Sequence, residues 1–273
     1  MLHVPPLGLT KMQRAYGRGE CVVKLRDGKT ALDRLWQEGC SKLRLPRHDH
    51  GFEVVMINSS GGLTGGDDLK WAFCAADRTA MTVTTQACEK VYASSGGAAS
   101  VSTSLSVGAG ARLNWLPQET ILFNQSALSR NLNADLAVDA ELLLCEPMLL
   151  GREAMNETVV SGLFEDRWRI RMDGRLIHAE QFRLGPDVAA QAARTAVLNG
   201  ARAFASVLLI GADGEALLDN TRAIIGDQGG VSFWNGKFLA RLIAKDGYEL
   251  RQRLIPLLSL LNKRAALPKC WTL

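Results

Sequence analysis

Carboxylates, an amine and several hydroxyls gather in three short stretches of this chain. Asp67 closes the run Ser59-Ser60-Gly61-Gly62-Leu63-Thr64-Gly65-Gly66-Asp67. Thr84-Thr85-Gln86-Ala87-Cys88-Glu89-Lys90-Val91-Tyr92 and Trp115-Leu116-Pro117-Gln118-Glu119-Thr120-Ile121-Leu122-Phe123 follow. Two kinds of chemistry suit them. A hydrolase or transferase pocket around Asp67, Lys90 and Glu119 would need these groups within about 3 Å of one substrate atom or proton. Alternatively, Asp67 and Glu119 face water and hold a hydrated cation loosely. Burying Glu119 alone in its apolar setting is expensive, so it should pair with a cation such as Lys90 or Arg152, or face water.

Other chemistries lack their parts. A phosphate-binding loop needs G-x-x-x-x-G-K-[ST], whereas Gly61 and Gly66 lead into the negative charges of Asp67-Asp68. A dinucleotide fingerprint opens a helix, and the next segment reads as a strand. Thr84 and Thr85 have no adjacent base to make either a nucleophile, so their hydroxyls are expected to bond backbone groups at a strand end. Lys90 and Tyr92, two apart, point the same way on a continuing strand. Glycines this dense give up backbone entropy, which marks turns with φ > 0 or a close approach to the backbone.

Metal-ligating types occur without a cage. Cys145-Glu146-Pro147-Met148 and Gly151-Arg152-Glu153-Ala154-Met155-Asn156-Glu157 offer sulfur and carboxylate donors, although Cys and Met at strand spacing usually belong to the core. His48-Asp49-His50 puts two imidazoles on one face of an extended segment, either a surface metal pair or a polar loop. With no H-E-x-x-H and no four-cysteine set, a closed structural metal site is not expected. A relay needs that looseness, since a picomolar site, about −16 kcal/mol, traps an ion that a micromolar one, about −8 kcal/mol, releases.

The elements that must position these residues are mostly short strands. Phe52 to Ile57, Leu69 to Cys74, Ala80 to Thr85, Ser100 to Val107, Arg112 to Trp115, Leu132 to Val138 and Glu141 to Leu150 carry strand signals. Arg167 to Met172 meets Arg175 to His178 across Asp173-Gly174, a two-residue hairpin signature. Turns recur too closely for helical crossovers, so the strands are read as a largely antiparallel, mainly β body over about residues 20–245. Ala205 to Ile210 is a further strand, and Gln191 to Asn199 is at most a short helix. Leu250, Leu254, Leu257, Leu258 and Leu261 recur at helical spacing, giving a C-terminal helix at about 246–263 that Pro256 kinks or splits. One domain, 1–273, is the expectation.

Composition narrows the function further. A chain of 273 residues can bury a sizeable core. A net charge of +4 is too small to argue for nucleic acid. The six cysteines lack a C-x-x-C pair and do not form a secreted disulfide framework. No signal-peptide pattern follows Lys11 and Arg14, and no run approaches the roughly 18–20 apolar residues of a membrane helix. A cytoplasmic protein without a membrane or nucleic-acid partner is expected. Toward the C-terminus Lys237, Arg241, Lys245, Arg251, Arg253, Lys263, Arg264 and Lys269 outnumber Asp246 and Glu249, either as a solvated helix face or as a basic docking face.

The three stretches in register, continued by Gly151-Arg152 to Glu157 and by Leu267-Pro268, resemble the urease accessory protein UreD (UreH) family over nearly the whole chain. The resemblance implies a helicoid of stacked β-sheets with C-terminal helices. It implies a non-enzymatic scaffold for urease maturation that binds the urease apoprotein, a UreF-type accessory protein and, through it, a UreG-type GTPase. No cofactor is held tightly, and Ni2+ passes transiently. Asp67, Glu119 and Glu157 are the candidate residues of that path. Gly61, Gly62, Gly66, Thr84, Thr85, Lys90, Tyr92, Pro117 and Arg152 are the structural positions of the family motifs. Cys88, Glu89 and Asn156 depart from the family pattern, which commonly has small or apolar residues at the first two positions and glycine at the third.

Overall fold

The computed structural model describes residues 13–47, 51–211, 214–263 and 266–271. The His48-Asp49-His50 pair and Arg264 lie outside the described residues. In chain order the elements are β1 (Tyr16–Arg26), β2 (Lys29–Gly39), β3 (Ser41–Arg44), β4 (Phe52–Asn58), β5 (Asp68–Ala75), β6 (Ala80–Thr85), β7 (Glu89–Val91), β8 (Ala99–Val107) and β9 (Arg112–Leu116). Then come β10 (Thr120–Leu122), β11 (Ala127–Leu136), β12 (Glu141–Leu150), β13 (Leu163–Met172), β14 (Arg175–Leu184), α1 (Val188–Ala193) and β15 (Ala203–Ile210). The last are α2 (Leu218–Ile225), β16 (Gly229–Trp234), β17 (Lys237–Ala244) and α3 (Gly247–Leu261).

The strands wind as stacked coils. One sheet runs β14-β13-β11-β8-β5-β1-β2 and the facing sheet runs β16-β17-β15-β12-β9-β6-β4-β3. From β4 onward the chain alternates between them: β4 to β5, β6 to β8, β9 to β11, β12 to β13. A mainly β helicoid is therefore present, but the expected antiparallel majority is not. Among the described strand pairs nine are parallel and six antiparallel.

The reason is topological. The expectation assumed that a parallel crossover is a helix, and the spacing leaves no room for one. Here the crossover is a strand of the opposite sheet. β5 ends at Ala75 and its parallel neighbour β8 begins at Ala99, with β6 and β7 filling the interval. Each coil cannot bury its apolar face alone, and stacking the next coil completes the core. Antiparallel pairing survives at the ends, as in β1–β2, β3–β4 and β16–β17.

Period-2 alternation sends one set of side chains between the sheets. Leu105 and Val107 of β8 point inward, while Ser104 and Ser106 point out. Phe164, Trp168 and Ile170 of β13 join the same core. The turn at Asp173-Gly174 has φ of 48° and 73°, as the hairpin signature requires. A second core forms where α3 lies on the outer face of the β12 sheet, burying Leu250, Leu254, Leu257, Leu258 and Leu261. Asp246 caps that helix, its carboxylate accepting the Glu249 N–H at 2.7 Å. The helix continues through Pro256 as one element, held by this apolar stripe.

Candidate functional site

The turns leading from the β12 sheet to the β14 sheet stack on one narrow face of the coil. Leu63 bridges Val91 in parallel, β7 pairs with β10, and β10 pairs with the second half of β12. The glycine run, the Thr84–Tyr92 stretch and the Trp115–Phe123 stretch are thus equivalent corners of successive coils. Gly151–Glu157 is the fourth, its Gly151 N–H donating to the Leu122 carbonyl at 2.8 Å.

A ladder of rings explains the residue types at these corners. Gly62 has φ of 147°, and a Cβ there would stand 2.4 Å from Tyr92 Cε2. With that space open, the Tyr92 ring lies over the glycine and its hydroxyl donates to the Gly61 carbonyl at 3.1 Å. Tyr92 then meets Phe123 edge-on, with centroids 5.1 Å apart, and the Arg152 guanidinium sits 4.5 Å over Phe123. Gly62, Tyr92 and Arg152 thus belong to one stack. Lys90 is exposed on the same side.

Every carboxylate singled out from the sequence is bound by its own neighbourhood. Asp67 accepts the Ala15 N–H at 2.7 Å and the Thr64 N–H at 2.8 Å, one on each oxygen, and so pins the glycine turn to the start of β1. Glu119 is clasped by Arg251 of α3, with Nε at 2.6 Å and Nη2 at 2.8 Å, and also accepts from the Cys88 thiol at 3.3 Å. Burial alone would raise the Glu119 carboxyl, but the hydrogen bonds and charge of Arg251 outweigh it and hold it below the usual range. The cation it needs is therefore not Lys90 or Arg152; it comes from the C-terminal helix. Glu157 is paired with Arg152, whose Nε is 2.8 Å away, and accepts the Arg152 and Asn124 N–H groups at 3.1 Å. Arg152 keeps its carboxyl low.

Of the two threonine hydroxyls, Thr85 bonds backbone as expected, whereas Thr84 meets a side chain from the C-terminal segment. Thr85 Oγ1 accepts the Gln118 N–H at 2.8 Å, and the buried Thr84 Oγ1 lies 3.3 Å from Cys270 Sγ. Trp271 follows, wholly buried, its indole donating to the Leu116 carbonyl at 3.0 Å. The basic C-terminal residues are largely engaged: Arg253 with Glu249, Lys263 with Glu141, Arg241 with Glu180.

Between the sheets lies a cavity of about 70 Å³ to which the three stretches contribute Leu63, Thr85, Glu89, Trp115, Pro117, Gln118 and Thr120, but not Asp67, Lys90 or Glu119. Its charged lining is Glu89, Arg130, Glu146 and Asp166. Arg130 bridges the two acids, Nη1 to Glu146 at 2.5 Å and Nη2 to Asp166 at 2.6 Å, and Trp115 donates to Glu146 at 2.8 Å. Glu89 accepts the Asn58 amide at 3.2 Å, and burial pushes its carboxyl up to about 7. Glu89 also lines an outer cleft of about 230 Å³ with Asn58, Cys88 and Lys90, so it stands where interior and exterior meet. Among the described residues no three His, Cys, Asp or Glu side chains converge closely enough to hold a bare metal ion.

Sequence reasoning passed over Arg130 and Asp166, and it set Glu89 aside as a departure. The signal was parity: Arg130 falls in step with Leu128 and Leu132, and Asp166 with Phe164 and Trp168, on inward positions. Asp67, Lys90 and Glu119 do not share a cavity. Lys90 lines the outer cleft, while the carboxylates of Asp67 and Glu119 are turned onto their own partners.

Comparison with known proteins agrees with the motifs. The UreD urease accessory protein family matches residues 15–272. The urease accessory protein UreD of Rhizobium leguminosarum bv. viciae is 54% identical over 266 residues, covering 97% of each chain. That of Agrobacterium fabrum is 52% identical over 96% of this chain and 93% of its own. UreD 1 of Brucella melitensis biotype 1 is 50% identical over 96% and 95%.

Proposed function

The chain belongs to the UreD urease accessory protein family, and from that premise we propose that it is a scaffold in urease maturation. In this reading it binds the urease apoprotein together with a UreF-type accessory protein, meets a UreG-type GTPase through the latter, and helps pass Ni2+ to the urease active site. It makes and breaks no covalent bond of its own. The observation that carries the reading is the match of both motif and length, from residue 15 to residue 272, to proteins named for that role.

Nickel is cargo here, held in passing and not as a resident cofactor. In the interior Glu146 and Asp166 are held by Arg130 and Trp115, and Glu89 is the lining acid that no arginine meets, so on this reading it is the group that would touch the passing ion. Asp67, Glu119 and Glu157 serve the path by fixing the corners around it, since their oxygens are committed to backbone N–H groups or to arginines. Six unpaired cysteines suit a reducing compartment, and we place the work in the cytoplasm. Among the described residues no helix is long and apolar enough to cross a membrane.

The alternative, a hydrolase or transferase using Asp67, Lys90 and Glu119, lacks the shared pocket it requires. A tagged chain expressed with the urease operon tests the scaffold. Urease subunits and the UreF-type protein should copurify with it, and deletion should leave urease poor in nickel. Absence of both associations, with normal nickel in the deletion strain, refutes the proposal.

A further inference from the structure

The ladder of corners leaves an outward surface that the coil itself does not use. On the row Lys90–Ile121–Leu149 the side chains face away from the core between the sheets, with Leu149 half-buried against the edge of the core under α3. Ile121, Leu149 and Leu150 floor a cleft of about 210 Å³ rimmed by Arg152, Glu153, Arg202 and Lys245. Gly247, the first residue of α3, closes one side, where an added Cβ would stand 3.2 Å from Leu149. Tyr248 follows Gly247 of this lining and is 73% exposed, Met155 lies two residues after Glu153 at 67%, and Tyr92, packed on the Phe123 ring beneath Arg152, is 41% exposed. Monomer surfaces seldom gather such residues, and Tyr, Met and Arg around an apolar hollow is the composition of protein–protein contacts.

Charge defines the other half of the surface. Lys90, Arg152, Arg202 and Lys245 stand against Glu153, Glu157 and Asp246. Glu157 and Arg152 neutralise each other, and Asp246 caps the helix through one oxygen with the other 3.9 Å from the exposed Lys245 amine, so the charges left to a partner are Lys90, Arg202 and Lys245 against Glu153. Arg202 donates to the carbonyls of Leu150 and Glu157, which leaves its positive charge in place.

We propose that this narrow face is the docking surface for a partner protein presenting an apolar side chain flanked by carboxylates. The apolar group fills the hollow over Ile121 and Leu149, and the carboxylates meet Lys245, Arg202 and Lys90. The proposal rests on the scaffold reading above and names the surface that reading lacks.

Full-length chain is titrated with purified urease apoprotein and, separately, with a purified UreF-type protein. The variants are Lys245→Glu with Tyr248→Ala, and Met155→Glu. All three positions are exposed, so unchanged thermal melting is expected to accompany the result. Binding of one of the two proteins should weaken at least tenfold in both variants and should weaken for wild type as salt rises. Full binding of both proteins by both variants overturns the proposal while leaving the scaffold standing. Tighter binding by Lys245→Glu, or no response to salt, overturns the acidic character of the partner. If wild type binds neither protein, the scaffold reading falls and this proposal with it.

Discussion

Glu89 and Glu119 occupy consecutive coils, joined by a 3.0 Å bond from the Glu89 N–H to the Glu119 carbonyl. Both carboxyls are withdrawn from water, yet their environments act in opposite directions. Glu119 is met by an arginine and held below the usual carboxylate range, whereas Glu89 is met by the Asn58 amide and the Lys90 backbone N–H, and burial pushes it up to about 7. Arg251 makes the difference, reaching in from α3, 132 residues further along the chain. The corner is locked electrostatically, while the neighbouring neck of the cavity keeps an uncompensated acid.

The strongest test of this contrast is the interior pair of acids. Replacing Arg130 by alanine leaves Glu146 and Asp166 buried without their cation, and breaking such a cluster costs about 3–5 kcal/mol. Urea unfolding reads the loss, and adding Glu146→Gln with Asp166→Asn should restore much of it. A cost below about 1 kcal/mol would mean the cavity is wetter than its lining implies.

Arg251→Ala should follow at about 2–4 kcal/mol, because Glu119 is then the stranded charge. Its pH dependence has a definite sign. A carboxyl depressed in the folded state contributes stability above its unfolded value, lost as pH falls through the folded one. Wild type should therefore lose on acidification a contribution that Arg251→Ala no longer has. Parallel acid limbs for the two proteins would contradict the pairing.

Glu89 should show the reverse. Its folded value lies above the unfolded one of about 4.5, so its contribution is intact at low pH and lost as pH rises through about 7. Between pH 5 and 8 the wild type should lose about 2–3 kcal/mol that Glu89→Gln retains. A flat difference between the two over that window would remove the contrast with Glu119.

How much of this was readable in the sequence follows from the range of the interactions. Strand positions were legible because the signals are local: Ser100 to Val107 alternates, Glu141 to Leu150 is a short apolar run buried on both faces, and the Asp173-Gly174 hairpin carries its own turn chemistry. Strand direction was not, because the partner of β5 is a coil away at β8 and the intervening crossover is itself a strand. The same separation hid the site. Glu119 needed a cation, and that much burial dictates; nothing near it in sequence says that the cation is Arg251. The long β1–β2 hairpin was also missed. Its outer strand is exposed along most of its length, so no apolar alternation marks it.

The smallest expected effect separates what two adjacent glycines do in the ladder. Gly61 has φ of 79° with open space where a Cβ would go, so Gly61→Ala should cost about 1 kcal/mol, the backbone term alone. Gly62 has φ of 147°, and its Cβ would meet both Tyr92 Cε2 at 2.4 Å and the Lys90 carbonyl at 2.7 Å. Gly62→Ala should therefore cost more, about 2 kcal/mol, by adding a steric clash to the backbone strain. Combining it with Tyr92→Ala removes the ring contact but not the carbonyl one, so the double variant should be less destabilised than the sum of the singles. Strict additivity in urea unfolding would show that the ring does not rest on the glycine, and that Gly62 serves the turn alone.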